Sequence, residues 1–137
     1  MTKKTRFTLL IMLIFAILSS FTLTACTKTT EYKLYSYTFY GDTYNIGDSF
    51  FGVEIKSDLV SLKLTNGELE LKISQGFING DPEMVDEYTS YAGTYTETDS
   101  TITAIIPNFS TGSLSIMKAG NKFSFNLSSS ITIILQK

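Results

Sequence analysis

Seven carboxylates lie between residues 68 and 97: Glu68, Glu70, Asp81, Glu83, Asp86, Glu87 and Glu97. Two such groups facing one another across a cleft would suffice for glycoside hydrolysis. Glu68 and Glu70, however, are two residues apart in an alternating segment, so both fall on the polar face of one strand and read as solvated surface. Asp81, Glu83, Asp86 and Glu87 could offer hard oxygen ligands to calcium, but they lack the regular spacing and central glycine of an EF-hand loop. A solvated acidic loop without metal is expected there. The chain has no histidine, which excludes Ser-His-Asp and Cys-His catalysis and histidine-based zinc sites. A glycine-rich phosphate loop and a His-Glu-x-x-His motif are also missing. Neither an enzyme nor a bound cofactor is expected. Tyr32, Tyr40 and Tyr44, with Tyr35 and Tyr37 between them, concentrate phenol groups near one end of the domain. Tyrosine suits contact with a ligand or surface because it joins apolar area to a hydrogen-bonding tip. Strand packing is the plainer account, since Tyr35, Tyr37 and Phe39 share one alternation parity.

The remaining chemically distinctive residue is the single cysteine, Cys26. It follows a basic start at Lys3, Lys4 and Arg6 and a run of ten residues, Leu9 to Leu18, without a polar side chain. That order is a signal peptide; a spanning helix needs roughly 20 apolar residues. Leu23-Thr24-Ala25-Cys26 resembles the bacterial lipobox. The resemblance implies cleavage before Cys26, addition of diacylglycerol and acyl chains to that residue, and anchoring on the extracytoplasmic face of the cell membrane. Acyl chains give firm anchoring, because each buried methylene contributes about 0.8 kcal/mol. Thr27-Lys28-Thr29-Thr30-Glu31 reads as a polar tether. The expected organisation is therefore a signal peptide over 1–25, a lipidated terminus and tether over 26–31, and one domain over 32–137.

Residues 26–137 carry eight lysines against thirteen acidic residues, a formal charge of −5. Such a balance provides no cationic footprint for nucleic acid. With one cysteine, no disulfide forms within the chain, and the fold must be held by its apolar core.

The elements that position these groups read as strands and turns. Val60, Leu62 and Leu64 alternate with Ser61, Lys63 and Thr65; after Asn66-Gly67, Leu69, Leu71 and Ile73 alternate with Glu68, Glu70, Lys72 and Ser74. Asn-Gly accommodates the positive torsions of a two-residue hairpin, so a hairpin is expected over 59–74. Further strands are expected over 32–40, 49–56, 92–97, 101–106, 113–117, 122–127 and 131–135. Residues 75–88, punctuated by Gly76, Gly80 and Pro82, form the longest expected loop. The class is all-β, an antiparallel up-and-down meander closed or nearly closed into a small barrel; a β-sandwich is the alternative.

The stretches Tyr32 to Tyr40, Gly41-Asp42-Thr43-Tyr44-Asn45-Ile46-Gly47-Asp48, Leu59 to Ser74, and Gly93-Thr94-Tyr95 onward resemble the small lipocalin-like domains of Gram-positive-type bacterial lipoproteins. The resemblance implies the barrel fold and transfers no catalytic set. Tryptophan, common in the lipocalin signature, is absent, so a deep cup is not expected. Two functions follow as expectations. The first is a non-enzymatic envelope lipoprotein contacting a protein, glycan or surface through an exposed face. The alternative is binding of a small apolar ligand in the barrel interior, which requires a cavity of roughly 300 Å³ or more.

Overall fold

The computed structural model describes residues 28–109 and 111–137. The lipobox residues Leu23, Thr24, Ala25 and Cys26 lie outside the described residues. Eleven strands follow in chain order: β1 (Thr29–Phe39), β2 (Asp42–Asn45), β3 (Ser49–Phe50), β4 (Val53–Glu54), β5 (Val60–Thr65), β6 (Glu68–Ser74), β7 (Tyr88–Glu97), β8 (Thr101–Ile105), β9 (Ser113–Ala119), β10 (Lys122–Ser128) and β11 (Ile131–Gln136). A short helix, α1 (Gln75–Asn79), joins β6 towards β7. No helix among the described residues is long and apolar enough to cross a membrane.

Eight of these strands, β1 and β5 to β11, pair antiparallel in sequence order, and β11 returns to β1 to close the barrel. The expected barrel is thus the fold, and the sandwich alternative is not. The hairpin expected over 59–74 forms with Asn66 at φ 47° and Gly67 at φ 81°, the left-handed pair that a type I′ turn requires. Its register, Leu62 against Leu71 and Leu64 against Leu69, sends the leucines to one face. Strand β1 starts at Thr29, so it takes in residues of the expected 26–31 tether. Strand β7 starts at Tyr88, four residues before the expected Ala92.

The strict alternation expected for Tyr35, Tyr37 and Phe39 does not hold. A register shift between Leu34 and Ser36 places a bulge at Tyr35, and an extra residue of this kind re-aims the side chains that follow. Tyr35 is 40% exposed whereas Leu34 and Tyr37 are both buried. The middle of the barrel is filled by Leu62, Leu71, Ile102, Ile116, Ile133 and Leu135, all fully buried.

The two ends of the barrel differ. At one, the hairpin end, lie the turns at Asn66-Gly67 and Gly120-Asn121 and the start of β1. The other is covered by α1 and by the β3–β4 hairpin. Here the expected loop over 75–88 is partly helical, for local reasons. Ser74 caps α1, its Oγ accepting from the Phe77 N–H at 3.3 Å and donating to the Val85 carbonyl at 2.7 Å. Gly80 ends the helix at φ 65°. Gly76 is required, because a Cβ there would stand 2.3 Å from the Asp81 carbonyl oxygen. The cap thereby inserts Phe77, fully buried, into the barrel mouth.

Candidate functional site

At the capped end a half-open cavity of about 310 Å³ lies between the barrel and its cover. Five strands contribute to its wall: Tyr37 from β1, Ile73 from β6, Tyr91 from β7, Leu127 from β10 and Ile131 from β11. Gln75 and Ile78 of α1 and Phe109 of the β8–β9 loop complete it. Tyr91 and Phe109 meet edge to face with ring centroids 5.4 Å apart, which ties that loop to the strand wall. The Gln75 side-chain amide donates to the Thr89 hydroxyl and fixes the base of α1 against β7.

Polar groups in this wall are few. Burial, and secondarily the neighbouring Tyr44, pushes the Tyr37 phenol up from its ordinary value near 10 to about 12. It is therefore neutral throughout the physiological range and able both to donate and to accept. A mainly apolar wall with two phenols and an amide is the usual composition of a site for a small apolar molecule carrying a polar group or two.

The three tyrosines expected to make contacts do not form one site. Tyr32 lies at the hairpin end, stacked on Phe123 with centroids 3.9 Å apart. Tyr44 packs at the capped end, edge-on to Phe50 at 5.0 Å. Tyr40 is 74% exposed and Phe51 68% exposed, each edge-on to Phe39. The tyrosines that line the cavity are Tyr37, which the sequence assigns to packing, and Tyr91, which it does not single out. Tyr91 was detectable in principle, since Thr89, Tyr91, Gly93 and Tyr95 continue the inward parity set by Leu71 and Leu69.

Glu68 and Glu70 are exposed on β6, and Asp81 accepts from the Glu83 N–H at 3.0 Å as a local turn cap. No group of three or more His, Cys, Asp or Glu side chains among the described residues is placed to hold a metal ion, so Asp81, Glu83, Asp86 and Glu87 form no calcium cluster. Glu97 sits in the hairpin-end mouth, a more polar recess of about 550 Å³ whose lining includes Lys28, Tyr32, Asn66, Tyr95, Lys118 and Phe123. There the Lys118 Nζ donates to Glu97 Oε2 at 3.0 Å and to the Thr98 carbonyl at 2.9 Å. Burial raises the Tyr32 phenol; Lys118 opposes that shift, while Glu97 and Tyr95 add to it.

No protein-family model matches the chain, and comparison with curated proteins finds no match. Among solved structures, the chain is similar to a lipocalin-like protein from Bacteroides uniformis ATCC 8492, with a TM-score of 0.48 and 13% identity over 78% of this chain and 94% of that one. It is also similar to an uncharacterized protein from Bacteroides eggerthii DSM 20697, with a TM-score of 0.47 and 12% identity over 78% of this chain and 96% of that one.

Proposed function

We propose that this protein is a non-enzymatic envelope lipoprotein, tethered to the extracytoplasmic face of the membrane through lipid on Cys26, whose barrel binds a small apolar ligand at its capped end. The observation that carries the ligand reading is the cavity of about 310 Å³ walled by inward side chains of five strands. That volume meets the lower limit of useful ligand sites, roughly 300 Å³. The barrel interior, where the sequence places a ligand, is filled by fully buried side chains and offers no cup; the ligand of this reading lies at the mouth instead and is small. The absence of histidine, and of any cluster of three or more carboxylates among the described residues, supports a binding role over catalysis. The anchor rests on the resemblance of Leu23-Thr24-Ala25-Cys26 to a lipobox.

Binding is tested with the fluorescent apolar probe N-phenyl-1-naphthylamine on wild type and on Leu127→Trp, which adds a ring inside the cavity. Saturable binding weakened at least tenfold by Leu127→Trp, with an unchanged unfolding midpoint, is the expected result. Absence of saturable binding, or equal binding by both proteins, would overturn the ligand reading. Cys26→Ser tests the anchor separately: processed mass and membrane retention should both change, and neither changing refutes lipidation.

Contact with a partner protein is the second reading. It is favoured by the exposed Tyr40 and Phe51, which both pack edge-on against Phe39 at the rim of the same capped end.

A further inference from the structure

The two barrel ends differ in chemistry, and the lipid anchor of the proposed function is joined to only one of them. Lys28 and Thr30 already line the hairpin-end mouth, and Cys26 precedes Lys28 by two residues. Two extended residues reach at most about 7 Å. From Thr30 to Phe39, strand β1 advances nine residues, which at about 3.3 Å each and a barrel tilt of 35–45° makes roughly 20–25 Å along the axis. The capped end is therefore beyond the reach of the tether while β1 remains paired. Standing the domain upright on that end would require peeling β1 from β5, breaking the register from Thr29–Thr65 to Lys33–Ser61.

We propose that the domain stands on its polar hairpin end, with Lys28, Tyr32, Tyr95 and Lys118 facing the headgroup layer and the apolar cavity opening away from the anchoring membrane. This rests on the lipid-anchor reading. Tyr32 and Tyr95, with polar tips on their rings, and Lys28, on a long apolar stem, are residue types that settle at membrane interfaces, whereas Lys118 is held in its pair with Glu97. Opposing this arrangement, Tyr40 and Phe51 place exposed aromatic surface at the far end. The tether keeps the hairpin end at the bilayer, so that apolar rim could touch the membrane only with the barrel lying along its β1 flank, an arrangement that equal quenching at the two ends would reveal. A ligand consequently enters from the aqueous side or from a partner docked there, and is not drawn directly from the anchoring leaflet.

The test uses the full lipidated chain in liposomes of phosphatidylcholine and phosphatidylglycerol containing a headgroup-nitroxide lipid. With the Cys26 thiol consumed as a thioether, Asp99→Cys at the hairpin end and Ser129→Cys at the capped end each offer one thiol for a fluorophore. At least twofold stronger quenching of the Asp99→Cys label is expected. Equal or stronger quenching at Ser129→Cys, in protein whose intact mass shows lipid on Cys26, overturns the orientation and leaves the anchor standing. An intact mass showing Cys26 unmodified overturns the anchor, and the orientation falls with it.

Discussion

Tyr37 and Phe77 meet edge to face with ring centroids 4.6 Å apart, one from the first barrel strand and the other from the short helix that covers the barrel mouth. This contact joins the cover to the core, and Tyr37 also lines the cavity.

Phe77→Ala removes a fully buried ring, so the protein should lose about 3–5 kcal/mol of stability. The loss is read from denaturant midpoints. The same variant should enlarge the cavity and change probe affinity, whereas Ile105→Ala, at a 60% exposed position, should change neither by much.

Ser74→Ala deletes both the cap of α1 and the hydroxyl bonded to the Val85 carbonyl. A cost of about 1–2 kcal/mol is expected. Hydrogen exchange should rise selectively in residues 75–87; an increase spread evenly over the barrel would contradict the local role of the cap.

Gly93→Ala brings a Cβ to 2.2 Å from the Ile105 carbonyl oxygen. Strands β7 and β8 must then separate, at a cost of about 1–3 kcal/mol by comparison with other overpacked sites. At Gly41, φ is 87° with nothing within 4 Å of the added atom, so Gly41→Ala should show only the backbone cost of about 1–2 kcal/mol. Chemical-shift changes in β7 and β8 should separate the two variants even where their stabilities overlap.

Alkali should destabilise the protein through Tyr37. The unfolded phenol loses its proton near pH 10, while the folded one retains it to about pH 12. Between these values the folded state binds more protons, so stability is fully present below pH 10 and falls as pH rises towards 12. The loss assigned to this group is about 1–2 kcal/mol after allowance for solvent access through the cavity. Tyr32 and Tyr88 are also raised, mainly by burial, and add in the same direction. Tyr37→Phe should therefore flatten the alkaline limb of a stability profile without abolishing it.

Lys118 and Glu97 form an ion pair at 3.0 Å with both side chains partly open to solvent. A double-mutant cycle of Lys118→Met and Glu97→Gln should give a coupling of about 0.2–1 kcal/mol. Added salt should reduce that coupling.

The cavity was less legible in the sequence than the strands, and its tyrosines show why. Alternation marks Leu62, Leu64, Leu69 and Leu71 directly, because each reports its own local face. Tyr37 reaches the interior only after the bulge at Tyr35, and the bulge becomes apparent when β1 pairs with β11 at the other end of the chain. Cover segment 75–87 reads as a loop because α1 has five residues, too few to show a helical stripe. Its order comes from Ser74, Gly80 and burial of Phe77, not from periodicity.

By itself, the sequence determined the all-β class, the Asn66-Gly67 hairpin, most strand positions and the exclusion of histidine-dependent chemistry, since each depends on residue type and nearest neighbours along the chain. Only the tertiary structure decided that β11 closes on β1, that the barrel centre is filled, and that Tyr37, Tyr91, Leu127 and Ile131 surround one cavity. Those outcomes depend on contacts between residues far apart in the chain, where small register shifts redirect whole faces and local alternation has no information about which strands will meet.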